Sequence, residues 1–131
     1  MRILGWNCQD ICNALIVRAL EAQIKGARPD LIFLSETRAT NARMNSVKSS
    51  LKFDNKIVME AKGSAGGLCM MWKNGLTIKS VEYNKNIIAI KISEAVCDWL
   101  LVGFYGPPYH SKKKKAWEGM CRIDIFSTSK S

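Results

Sequence analysis

Three polar residues stand at the ends of apolar runs, and their types suit the handling of phosphate esters and hard cations. Asn7 closes RILGWN, Glu36 follows LIFLS, and Tyr105 ends DWLLVGFY. An amide and a phenol can donate hydrogen bonds to a phosphate oxygen. A carboxylate at the mouth of a buried strand needs a partner, either a basic side chain such as Arg38 or a metal ion. A single carboxylate suffices for Mg²⁺, which keeps most of its waters and takes one or two protein ligands. Each residue also has a plainer use. Asn7 can simply open a turn, Glu36 can form a salt bridge, and Tyr105 can be a half-buried aromatic at a strand end. His110, the single histidine, stands in the Pro-rich turn GPPYH and reads as a surface residue rather than a general base.

The elements that must present these residues follow from periodicity. Residues 2–7 form a short strand, and residues 10–25 carry Ile11, Leu15, Val17, Leu20 and Ile24 at helical spacing. Gly26 and Pro29 form a common helix stop. Residues 31–35 are a continuous apolar run, too short for a helix and suited to a strand buried on both faces. This strand–helix–strand unit delivers Asn7 and Glu36 to one sheet edge, where active sites of α/β folds usually sit.

A surface helix follows over 40–52, carrying Met44, Val47 and Leu51, and strands over 53–60 and 68–72 come next. Asn74-Gly75 is the strongest short hairpin signal. Strands over 76–83, 87–93 and 98–106 complete a meander, a helix begins near 111, and residues 127–131 form a frayed tail. The expected architecture is α/β (α+β), one domain over residues 1–126 with a mixed, largely antiparallel sheet and flanking helices.

Composition narrows the partners. The 131 residues are 47% hydrophobic and 24% charged, ordinary for a globular domain, with a net charge of +9. That surplus favours polyanions, nucleic acid first. Lys112, Lys113, Lys114 and Lys115 form a block that can track a nucleic-acid backbone, although such runs are usually just solvated. The five cysteines read as reduced thiols of an intracellular protein. Cys8 and Cys12 lack the second pair or the histidine that a zinc site needs. No apolar run approaches the roughly 20 residues of a membrane span. Gly66-Gly67 follows no phosphate-loop pattern and reads as a turn between strands.

Asn7, LSET around Glu36, GGLCMMWK at 66–73 and FYGPPYH at 104–110, in this order, resemble the endonuclease/exonuclease/phosphatase superfamily. More narrowly, they resemble the N-terminal endonuclease domain of plant LINE-type retrotransposon polyproteins. The resemblance implies a four-layer α/β sandwich of which this chain supplies the N-terminal part. It implies Mg²⁺-dependent cleavage of phosphodiesters, with Mn²⁺ as a substitute, DNA as partner and the nucleus as a location. Glu36 would match the metal-binding glutamate, Asn7 the first-strand asparagine that contacts the phosphate or attacking water, and Tyr105 the tyrosine that touches the scissile phosphate.

The sequence departs from that pattern after Tyr109. No Gly-Asp-x-Asn or Ser-Asp-His segment follows, so the residues expected to orient water and stabilise the leaving group are missing. The expectation is therefore a truncated DNA-endonuclease-like domain with little or no turnover. The alternative is a non-catalytic nucleic-acid-binding module, and a small-phosphoester phosphatase of the same superfamily is a third reading. One sheet without its mate would also leave an apolar face uncovered, predicting self-association.

Overall fold

A computed structural model of the chain describes residues 1–9, 11–60, 66–84, 87–95, 97–105 and 121–127, with the backbone alone at 84, 105 and 121–127. The elements run β1 (Ile3–Asn7), α1 (Ala14–Ala27), β2 (Leu31–Ser35), α2 (Asn41–Leu51), β3 (Asn55–Met59), β4 (Leu68–Trp72), β5 (Thr77–Asn84), β6 (Ile87–Ser93), β7 (Asp98–Tyr105) and β8 (Cys121–Ser127). They divide into two compact units, Met1–Gly75 and Leu76–Ser131. The expected mixed α/β architecture is present, with two sheets in place of one meander.

The first unit holds a four-stranded sheet in the order β1-β2-β4-β3. β1 and β2 are parallel, with Ile3 opposite Leu31 and Asn7 opposite Ser35, and β4 runs antiparallel to both β2 and β3. Parallel neighbours require a crossover, and α1 supplies it. All five residues of β2 are buried, as its unbroken apolar run demands. Ile32, Leu34, Cys69 and Met71 form one core with Leu20 of α1 and with Met44, Val47 and Leu51 of α2. The helical spacing of the apolar residues is thus the stripe each helix turns to the sheet.

Leu31, Phe33, Leu68 and Met70, on the other face of the same strands, are fully buried as well. The expectation of an uncovered apolar face is corrected by this burial.

The second unit is a sheet in the order β5-β6-β7-β8, antiparallel except for the parallel pair β7 and β8. Along β6, buried Ile88, Ile90 and Ile92 alternate with Ile87, Ala89 and Lys91. Ile87 and Ala89 pack with Leu100, Val102 and Phe104 of β7. The register of β5 against β6 shifts between Ile78 and Ser80, leaving Lys79 as a bulge residue. Lys79 Nζ lies 3.0 Å from Asp98 Oδ2 at the start of β7. Its hydrogen bond holds the Asp98 carboxyl below the ordinary value.

Several sequence expectations change. α1 begins only after Asn13, whose side chain accepts from Leu15 N at 2.9 Å and fixes the N-terminus there. It runs through Gly26 and stops at Arg28, which is left-handed at φ 47 and donates its N–H to Ile24 O. The αL stop falls on Arg28, immediately before Pro29, rather than on the glycine. Asn74-Gly75 closes no hairpin, because β4 and β5 belong to different sheets. Gly75 is also absent from the positive-φ residues that a tight hairpin turn requires. Residues 121–127 form a strand beside β7 that the sequence reading passed over, and Ser127 ends it. The helix start expected near 111 and the tail 128–131 lie outside the described residues.

Leu34→Ala removes a fully buried side chain from the centre of the first core, and denaturant unfolding is expected to show a loss of about 2–5 kcal/mol. Burial also pushes the Cys8 thiol from its ordinary 9.0 up to about 12, so the folded state keeps this proton where the unfolded state loses it. This contribution to stability is intact below pH 9 and is lost as pH rises toward 12. A thiol reagent at pH 8 is expected to modify exposed Cys12 in the native protein and to reach buried Cys8 and Cys69 only on unfolding. Mass spectrometry of the labelled protein checks this.

Candidate functional site

The parallel register that places Asn7 opposite Ser35 puts the ends of β1 and β2 side by side. Cys8 N donates to Ser35 O at 2.9 Å, extending the ladder one step past the strand. Asn7 is half-buried, and its Oδ1 accepts from Gln9 N at 3.2 Å. That bond is the turn use weighed above, and it occupies the amide oxygen. Glu36 follows Ser35, the last residue of β2, and is only 8% exposed. The structure thus brings Asn7 and Glu36 to one edge of one sheet.

Backbone strain collects at the same edge. Five residues other than glycine have positive φ among those described. Arg28 and Lys52 terminate helices, where the left-handed conformation satisfies the last carbonyls. The other three, Gln9 (φ 58), Glu36 (φ 50) and Arg38 (φ 51), flank the ends of β1 and β2. Such residues cost of order 1–3 kcal/mol each and persist only where the surroundings dictate them.

Those surroundings come from three segments. Thr37 N donates to Gly67 O at 3.3 Å and Arg38 N to Gly66 O at 2.9 Å, so the lead-in to β4 pairs with the exit from β2. Ile11 N donates to Thr37 O at 3.0 Å, tying in the loop after β1. Arg43 Nη2 donates to Ile11 O at 3.1 Å, which connects α2 to that loop. α2 is itself fixed at its start by Thr40, which accepts from Arg43 N, and by Glu60 Oε2, which accepts from Asn41 N at 2.8 Å. A carboxylate at a helix N-terminus also complements the helix dipole.

The remaining expected residues are placed differently. Tyr105 ends β7 in the second unit, opposite Ser127 of β8. His110 and Lys112 to Lys115 lie outside the described residues. Sequence reasoning passed over Thr37 and gave Gly66-Gly67 only a turn role. The two glycines take φ 78 and φ 99, conformations reserved largely for glycine, and that is the signal their pairing carried.

Among the described residues no group of three or more His, Cys, Asp or Glu is arranged to hold a metal ion. A centre built on several protein ligands is therefore not formed by them. What this edge offers is one nearly buried carboxylate, Glu36, just past the register pair of Asn7 with Ser35; a carboxylate oxygen is the ligand type a hard cation takes.

No family model matches the chain, and no curated protein matches it. Solved structures do. The chain resembles TDP2 of D. rerio, in a complex with a single-strand DNA product, with a TM-score of 0.65 and 16% identity over 98% of this chain and 59% of that one. It resembles the human nocturnin catalytic domain with bound sulfate (TM-score 0.61, 11% identity, 84% of this chain, 52% of that). It also resembles an AP endonuclease of Archaeoglobus fulgidus (TM-score 0.61, 14% identity, 88% of this chain, 46% of that). The chain thus spans between 46% and 59% of the length of these proteins. All three have the endonuclease/exonuclease/phosphatase fold, and the likeness shows that this chain has part of that fold.

Proposed function

We propose that the chain is part of a divalent-metal-dependent phosphodiesterase domain acting on DNA, of the kind found at the N-terminus of plant LINE-type polyproteins. The observation that carries this reading is the strained, buried Glu36 set beside Asn7 at the end of a parallel strand pair. The fold shared with TDP2 and AP endonuclease structures supports it. No helix among the described residues is long and apolar enough to cross a membrane.

Glu36 would hold the cation, Mg²⁺ or Mn²⁺, through its carboxylate. A cation held there would supply Lewis-acid polarisation of a phosphoryl oxygen and neutralisation of charge on the leaving oxygen. Burial of Glu36 keeps water from screening that charge. The Asn7 side-chain N–H₂ remains a donor when its oxygen is engaged by Gln9, so it can meet a phosphate oxygen. The Tyr105 hydroxyl is the proposed second donor. Each such donor, preorganised where charge develops, is worth about 10²–10³ in rate. Lys112, Lys113, Lys114 and Lys115 would neutralise phosphates along the bound strand, and the +9 charge would favour encounter with it.

A non-catalytic nucleic-acid-binding module is the second reading, favoured by the +9 net charge. The two separate in one experiment. Residues 1–131 are expected to bind duplex DNA with an affinity that falls steeply as salt rises. Nicking of supercoiled plasmid is expected to be slow, to require Mg²⁺, and to vanish with EDTA and with Glu36→Ala. Nicking that survives Glu36→Ala overturns the role of Glu36. Binding with no nicking at any Mg²⁺ concentration selects the second reading, and salt-independent binding removes nucleic acid as the partner.

A further inference from the structure

A cation site built on Glu36 needs something that holds its carboxylate in place, and the contacts of the next residue supply it. Thr37 is fully buried, and its hydroxyl has no hydrogen-bond partner among the described residues. That oxygen occupies the space a side chain on Gly67 would need. A Cβ at Gly67 would overlap Thr37 Oγ1 and come within 3.1 Å of Arg38 N. Gly67 is also held at φ 99, which side-chain-bearing residues rarely adopt. A buried hydroxyl without a partner gives up its hydration and gains no bond in return.

We infer that Thr37, seated in the notch left by Gly67, is a positioning residue for the Glu36 cation site; this rests on the reading of Glu36 proposed above. Glu36 is clamped on both flanks. Cys8 N holds Ser35 O on one side, while Gly67 O and Ile11 N hold the two backbone groups of Thr37 on the other. With φ of Glu36 at 50 there is little slack between these clamps. A shift of Thr37 passes through one peptide to the carboxylate, whereas Thr37 itself touches neither cation nor substrate.

The test is Mn²⁺ binding to the whole chain by titration calorimetry, with thermal melting of the same samples to report the folded fraction. Gly67→Ala and Thr37→Ala are each expected to weaken Mn²⁺ binding by about 10–100-fold in protein that remains folded, the usual effect of disturbing a group that orients a metal ligand. Thr37→Ser, which keeps the oxygen in the notch, is expected to bind as the parent does. Glu36→Gln is expected to abolish binding. Unchanged affinity in Thr37→Ala, with binding lost in Glu36→Gln, overturns the positioning role and leaves Glu36 as the ligand. Thr37→Ser behaving like Thr37→Ala also overturns it. Binding indifferent to Glu36→Gln overturns the underlying reading of Glu36. Should Gly67→Ala fail to fold, the two Thr37 variants decide the matter.

Discussion

Everything at the candidate site depends on β2 being buried on both faces while paired on both edges. With no water in reach, each of its backbone groups must be satisfied by β1 or β4, and the registers on either side do this residue by residue. That pairing leaves no freedom to slide, because a slip of one residue would turn Ile32 and Leu34 away from the helices. Ser35 is the last residue so constrained. Glu36 follows immediately, and the hydrogen bonds of Thr37 and Arg38 to the two glycines bend the chain where the strand ends. A carboxylate that would be mobile on a loop is held instead by the end of a buried strand.

Most of that frame was legible in the sequence. LIFLS announced a doubly buried strand, and the stripe of Leu20, Met44, Val47 and Leu51 announced helices laid against it. Where the reading failed, a non-local constraint had overridden a local signal. Asn74-Gly75 has hairpin chemistry, but the strands on either side pair elsewhere, in different sheets. CRIDIFS carries strand residues in a polar setting, and only its parallel partner β7 gives it a place. The contact of Thr37 with Gly67 joins residues thirty positions apart and leaves no periodic trace. A pair of glycines hints at close approach without saying to what.

The basic surplus reads differently once the side chains are followed. Lys73 Nζ donates to Lys52 O at 2.7 Å, and Arg2 Nη1 donates to Ala27 O at 3.3 Å. Both carbonyls lie at helix C-termini, where a cation meets unpaired oxygens and the negative end of the dipole. Lys48 Nζ reaches Asp54 O just beyond α2, and Lys73 also sits 4.8 Å from the centre of the Phe53 ring. Part of the positive charge in the first unit therefore holds the fold together. A raw count of lysines overstates what is left to meet a polyanion.

The bulge in β5 has a consequence for how the protein behaves in a crowded solution. Among the described residues β5 is the outermost strand of its sheet, with a row of backbone donors and acceptors that a guest strand from another molecule could match. At Lys79 the two-residue repeat breaks, and an exposed charge stands at the break, tethered to Asp98. Exposed Glu82 adds a second charge further along. A visiting strand would have to skip a residue to keep register there. The bulge and its exposed charge disfavour edge-to-edge stacking at this point of the border.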